Sequence, residues 1–319
     1  MKRALLLAIL AGVVLGVASL AAEPWVEGPA LNVARYKCRA LVLDGKIYVI
    51  GGRDPDKNVA PVEVFDPAVG QWKIVGPSPE NAYEMPCVAS FEGKLYALGG
   101  RTSEKVRTKV GYVLDLAGEG SEWTRLPGTA TFGHGDAGYG VIGTKIYLVS
   151  GEDDSLPNEG WDYVKAVDVF DMSTHNWSLA APIPFGREDF DAIAVGNKIF
   201  VFGGQGGAEG APVTWLDIYD AETDSWEHFE EGLPIPWEQP RVAAIGDQIY
   251  LMTGKGDAAF FAYRIDTNTM TWTEITPPPV PIFECALIAL NGKIYVIGGQ
   301  DFEGSVLNTV LIYDPSLEE

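Results

Sequence analysis

Histidine and cysteine are scarce, with three of each in 319 residues. Three cysteines allow at most one disulfide and leave a thiol over, so a cross-linked framework is excluded and the core must hold the fold. So few imidazole and thiolate ligands also argue against metal and redox chemistry, and no metal or cofactor is expected. Basic residues are outnumbered too, 23 against 44 acidic, for a formal charge of −21. A surface that negative repels phosphate backbones and anionic bilayers, so nucleic acid is set aside as a partner. Arg53, Arg101 and Lys255 would suit a phosphate, but no glycine-rich strand-to-helix element accompanies them and no nucleotide site is read.

What is present begins with an apolar N-terminus. Lys2 and Arg3 precede the uncharged run Ala4–Ala22, and Ser19-Leu20-Ala21-Ala22 offers small residues ahead of Glu23. That layout predicts a signal peptide over 1–22 and a secreted, periplasmic or extracellular protein. The same run could just span a bilayer, which would leave the chain membrane-anchored if it is not cleaved.

The rest of the chain repeats itself. Asp44-Gly45-Lys46-Ile47-Tyr48-Val49-Ile50-Gly51-Gly52 returns as Glu92-Gly93…Tyr96…Gly99-Gly100 and Gly143-Thr144…Tyr147…Ser150-Gly151. Three further copies follow: Gly196-Asn197…Phe200…Gly203-Gly204, Gly246-Asp247…Tyr250…Thr253-Gly254 and Asn291-Gly292…Tyr295…Gly298-Gly299. Pairs such as Asp-Gly and Asn-Gly suit two-residue turns with positive φ, so each copy predicts a hairpin of two apolar strands. A third strand ends in an acid in every copy (Asp66, Asp115, Asp171, Asp220, Asp266, Asp314), and Trp72, Trp123, Trp177, Trp226 and Trp272 follow in five. The sixth copy has no such tryptophan, but Trp25 stands ahead of the first hairpin, so residues near Trp25 are expected to complete the last sheet and join the chain's ends.

The glycine pair, the aromatic and the tryptophan beyond an acidic turn resemble the kelch repeat, over Trp25 to Asp314 in six registered copies. The resemblance implies an all-β, six-bladed β-propeller over 23–319, with four antiparallel strands per blade. Ser150 and Thr253 replace the first glycine, from which looser packing is expected in blades three and five.

Propellers of this kind bind at the mouth of the central channel, so the repeat becomes a ruler. Eleven residues before each anchoring aromatic stand Lys37, Met85, Asp136, Asp189, Gln239 and Glu284, the set the resemblance places at the mouth. One residue further out are Tyr36, Glu84, Gly135, Glu188, Glu238 and Phe283, and one further again Arg35, Tyr83, His134, Arg187, Trp237 and Ile282. The candidate ligand-binding set is Arg35, Lys37, Glu84, His134, Asp136, Arg187, Glu188, Asp189, Trp237, Glu238, Arg241 and Glu284. Arg35 and Arg187 also match the arginine that often opens a kelch repeat, which would instead bond a neighbouring blade's acidic turn. Cys38, Cys87 and Cys285 fall on innermost strands and read as core. Trp161, Trp215 and Trp237 are surplus to the repeat, and Trp161 lies in the longest insertion, Glu152 to Lys165.

A carboxylate ring with interspersed cations could hold a protein loop by charge-assisted bonds, or a glycan with aromatic stacking. It could also pair an acid with a base, since crowded carboxylates push one pKa upward. The expectation is a monomeric interaction module for a glycan or protein loop. The alternative is an enzyme on small sugars, similar in architecture to kelch-type sialic acid mutarotases, with no catalytic residue assigned and enzyme activity left open.

Overall fold

The computed structural model describes residues 23–117, 122–156, 163–207 and 209–318, and both segment 1–22 and Trp161 lie outside them. The described chain is all-β. It contains six four-stranded antiparallel sheets and, besides them, a small three-stranded ribbon and two short 3-10 segments, Gly256–Phe260 and Pro315–Leu317.

Sheet 1 consists of Arg39–Leu43, Lys46–Ile50, Val62–Asp66 and Gln71–Gly76. Sheet 2 follows with Cys87–Phe91, Lys94–Leu98, Gly111–Asp115 and Thr124–Arg125. Sheet 3 comprises Gly138–Ile142, Lys145–Val149, Val167–Asp171 and Asn176–Ala180. Sheet 4 comprises Asp191–Val195, Lys198–Phe202, Leu216–Asp220 and Ser225–Phe229. Sheet 5 is Arg241–Ile245, Gln248–Met252, Ala262–Asp266 and Thr271–Glu274. Sheet 6 takes Ala286–Leu290, Lys293–Ile297 and Val310–Tyr313 from one end of the chain and Trp25–Glu27 from the other, with Trp25 opposite Tyr313.

The core is divided among six buried clusters, each shared by two consecutive sheets. One of them joins sheet 6 to sheet 1, through Tyr295, Ile297 and Val310 against Val49, Phe65 and Trp72. The first strand of each sheet lies against that of the next, and that of sheet 6 against that of sheet 1. The fourth-strand tryptophans pin the same joints from outside. Trp72, Trp123, Trp226 and Trp272 donate their indole N–H to Pro29, Pro77, Ala181 and Gly232, at 2.8, 2.9, 2.8 and 2.9 Å. Trp25 makes the equivalent bond to Thr276, at 3.0 Å.

The glycine pair ending each second strand has a sharper role than close indole packing. The second glycine donates its N–H to a carbonyl at the start of the next repeat: Gly52 to Ala82, Gly100 to His134, Gly204 to Trp237 and Gly299 to Arg35, at 2.7–3.0 Å. The first glycine lies beside that carbonyl with positive φ. A Cβ on Gly51 would stand 2.0 Å from the Ala82 oxygen, and one on Gly203 2.4 Å from that of Trp237. At these two positions glycine meets both the φ and the approach without strain.

The loosening expected around Ser150 and Thr253 is absent at those residues, both of which are fully buried. Ser150 turns its hydroxyl into the joint, donating to Val164 O and Arg187 O and accepting from Arg187 N–H, at 2.7, 3.0 and 2.9 Å. Thr253 accepts the Trp237 indole N–H on its carbonyl at 2.7 Å. Their left-handed φ of 55° and 60° is held by these contacts.

Gly45 and Gly51 have nearly the same φ, 70° and 66°, but nothing lies within 4 Å of a Cβ on Gly45. Gly51→Ala should therefore cost at least about 2 kcal/mol more than Gly45→Ala in urea unfolding, because backbone strain cancels between them. Equal midpoints would mean that the joint can open without loss.

Candidate functional site

The site is built where the chain enters each first strand, an end termed the mouth here. Three residues per repeat reach it. The residues eleven before the anchoring aromatic, Lys37, Met85, Asp136, Asp189, Gln239 and Glu284, share one conformation, a left-handed φ between 47° and 56°. Six non-glycine residues in that region is unusual, and such strain persists only where surroundings over-determine it. Backbone bonds supply part of that: Lys37 N–H to Glu284 O, Met85 N–H to Lys37 O and Gln239 N–H to Asp189 O, at 2.7, 2.9 and 2.7 Å.

The next residue out pairs with the one following the glycine pair of the same repeat. The bridges are Tyr36 to Arg53, Glu84 to Arg101, Gly135 to Glu152, Glu188 to Gln205 and Phe283 to Gln300. In sheet 5 Lys255 N–H donates to Glu238 O at 3.0 Å. Arg53, Arg101, Glu152, Gln205, Lys255 and Gln300 thus complete the mouth. Sequence reading missed them as a set, although the same ruler counted five residues forward from the aromatic reaches each one.

Five candidates lie beneath the mouth and are corrected: Arg35, His134, Arg187, Trp237 and, deeper still, Arg241. Arg35, His134, Arg187 and Trp237 are fully buried. Arg35 meets Glu63 at 2.5 Å, Arg187 meets Asp217 at 2.5 Å and His134 Nε2 lies 3.0 Å from Asp168. Each acid sits on the third strand of the same repeat, not on a neighbouring acidic turn, so these side chains brace their own sheet. Trp237 does so through Thr253. Arg241 is one layer down, 2 % exposed, donating to Cys285 O at 3.0 Å and facing Met85 Sδ at 3.5 Å. At that level Arg39 pairs with Asp191 at 2.7 Å, and Asp191 also accepts from Val242 N–H, tying sheets 1, 4 and 5. On the far side lies a cavity of about 270 Å³, mostly apolar and lined from all six first strands. The three cysteines are buried and unpaired, and burial pushes Cys38 up to about 11 and Cys87 to about 12.

Charge at the mouth is unevenly paired. Lys37 Nζ stands 3.1 Å from Glu84, 3.5 Å from Glu284 and 3.7 Å from Asp136. Arg101 bonds Glu84 at 3.2 Å, Asp136 at 2.9 Å and also Glu152. Arg53 pairs with Glu84, Arg107 with Glu152 and Asp154, and Lys255 with Glu238. Burial alone would raise Asp136, but Lys37, Arg101 and Arg241 outweigh it and hold the carboxyl below its ordinary value.

Glu188 and Asp189 differ. Among the described residues neither has a cation within 4 Å. Glu188 accepts from the Tyr163 hydroxyl at 3.1 Å, and Asp189 from Gln239 Nε2 at 2.9 Å. Burial, then Glu152 and Asp189, pushes Glu188 up to about 8, and burial with Asp136 pushes Asp189 up to about 6. Although no metal set was expected, oxygens of Asp136, Glu152 and Glu188 come within 4.8 Å of one another. Arg101 already spans two of the three.

Comparison with known proteins agrees with the repeat. A kelch-motif profile matches residues 34–79, and the KLHDC2/KLHL20/DRC7 kelch-repeats domain matches 190–319. The chain belongs to the kelch-repeat family. It is 30% identical to Kelch-like protein 25 of Xenopus tropicalis over 246 residues, covering 75% of this chain and 40% of that protein. Kelch-like protein 35 of Mus musculus is 20% identical over 291 residues, covering 91% of this chain and 32% of its own length. The kelch chain therefore spans well under half the length of these relatives.

The raised carboxyls give a pH signature. Folded Glu188 and Asp189 keep protons where, at ordinary values of 4.5 and 3.8, the unfolded chain has lost them. Their stabilisation is complete below about pH 4 and is lost as pH rises through about 6 and then about 8. Scanning calorimetry of Glu188→Gln should show a smaller fall in Tm between pH 6 and 9 than the parent. An identical fall would mean that Glu188 ionises normally.

Proposed function

We propose that the six sheets are the blades of one closed six-bladed propeller, which acts as an interaction module gripping a cationic segment of a partner protein at its mouth. Closure is supported by the shared core between sheets 6 and 1, the Trp25 strand in sheet 6 and the Gly299–Arg35 bond. Kelch repeats in general serve protein interaction, and the family membership gives the reading its prior.

The unpaired Glu188–Asp189 pair carries the proposal. Two partly buried carboxylates beside Asp136 and Glu152 repel each other, and a lysine or arginine would relieve the repulsion while making charge-assisted bonds. An acidic peptide finds no such place, because the cations at the mouth are already bonded to carboxylates. The raised Glu188 also suits a general acid beside Tyr163, so a small-sugar enzyme is the second reading. The apolar N-terminal run supports export as part of this proposal.

Fluorescence anisotropy with labelled peptides tests it, using acetylated, amidated Gly-Gly-X-Gly-Gly with X as lysine, arginine or glutamate. The lysine and arginine probes should bind, more tightly at pH 8.5 than at pH 5.5 as the two carboxyls ionise. Glu188→Gln with Asp189→Asn should weaken them about 10- to 100-fold, the worth of one or two charge-assisted bonds. Preference for the glutamate probe, or no loss in the double variant, would overturn the reading. Turnover of a free sugar that Glu188→Gln abolishes would favour the enzyme.

A further inference from the structure

The mouth has an apolar flank that the charge argument does not use. Phe260 closes the 3-10 segment behind Lys255, Phe302 stands in the loop beyond Gln300, and Phe283 is itself a mouth residue. Their rings form a row: Phe260 to Phe302 at 5.7 Å, and Phe302 to Phe283 at 6.0 Å, nearly parallel at 28°. Phe260 is 56% exposed and Phe302 51%. A single exposed phenylalanine is unremarkable, but packed rings from two sheets form a contiguous apolar patch, which proteins seldom leave open to water without use.

Its surroundings narrow the occupant. Asp257 and Glu303 border the patch and are exposed, so its rim is negative like the chain as a whole. Phe283 leads directly into Glu284, whose carboxylate is 3.5 Å from Lys37 Nζ, and Lys37 in turn faces Asp136 in the acidic sector. On the other side Gln239, the mouth residue of sheet 5, bonds Asp189 through its backbone N–H at 2.7 Å and its side chain at 2.9 Å, so the patch and the Glu188–Asp189 pair lie on adjoining sheets of one mouth. A second copy of this chain, with a charge of −21, is a poor match for it.

We propose that the partner segment is bipartite: a lysine or arginine enters the Glu188–Asp189 sector while an aromatic or large aliphatic side chain of the same extended segment lies on the Phe260–Phe302–Phe283 row. This rests on the cationic-segment reading above and adds its apolar anchor. Aromatic anchors on such platforms commonly dominate binding, with the charge setting position.

Labelled peptides of one lysine and one phenylalanine, separated by one to six glycines, test the pair against the lysine-only probe. At least one spacing should bind about tenfold more tightly than lysine alone. Phe260→Ser with Phe302→Ser, both at exposed positions, should remove that gain and leave lysine-only binding unchanged. If lysine binds but phenylalanine adds nothing at any spacing, or the gain survives the double variant, the anchor is wrong while the cationic reading stands. If no peptide binds, the cationic reading fails and the anchor with it. Sedimentation showing a dimer that the phenylalanine variant dissolves would assign the patch to self-association and overturn the proposal.

Discussion

Everything at the mouth depends on a backbone contact buried well below it, the seating of one repeat's carbonyl against the glycine pair of the repeat before. Gly299 holds Arg35, Gly52 holds Ala82, Gly100 holds His134 and Gly204 holds Trp237. A Cβ at Gly51 would stand only 2.0 Å from that oxygen, and where Ser150 takes the glycine's place Gly151 still holds Arg187 O at 3.0 Å because the serine hydroxyl is itself bonded into the joint. Its geometry sets the spacing between neighbouring sheets and the point at which each new first strand begins. After Arg35, His134, Arg187 and Trp237 the next two residues along the chain are then delivered to the mouth.

The residue that supplies the carbonyl braces the joint a second time with its side chain. Arg35, His134 and Arg187 reach back to Glu63, Asp168 and Asp217 on their own third strands, and Trp237 bonds Thr253. In sheet 2 the neighbouring Asn81 serves, bonding Ala97 and Gly99. Four different chemistries perform one mechanical task, which is why the position looked variable enough to be functional. A buried ion pair gives little net stability over an apolar one, yet losing either partner strands a charge, so these positions constrain the joint more than they strengthen it.

The repeat, the hairpins and the strand contributed by Trp25 were legible because they recur, and recurrence turns weak local signals into a strong one. The mouth was legible only in part. Lys37, Asp136, Glu188, Asp189, Glu238 and Glu284 were found by counting backwards, but Arg53, Arg101 and Glu152 lie 17 residues beyond the positions they bridge, Tyr36, Glu84 and Gly135, across a hairpin. Sequence spacing says which residues share a level but not which are covered. Arg35 and Lys37 are two apart, and one is sealed while the other faces three carboxylates. The left-handed φ of Lys37 itself, 56°, accompanies that difference, and nothing in the residue types announces it.

The asymmetry of pairing has a physical consequence of its own. On the side of sheets 1 to 3, Lys37, Arg53, Arg101 and Arg107 neutralise nearly every carboxylate, so that side resembles a finished ion-pair network. On the side of sheets 3 and 4, Glu188 and Asp189 are crowded by Glu152 and Asp136 and are left to share protons. A chain rich in acidic residues can solubilise itself with carboxylates on open surface, where they repel little. Placing two of them together at partial burial, beside two more, costs stability that solubility does not require. Such a cost is consistent with a site whose missing positive charge arrives from outside.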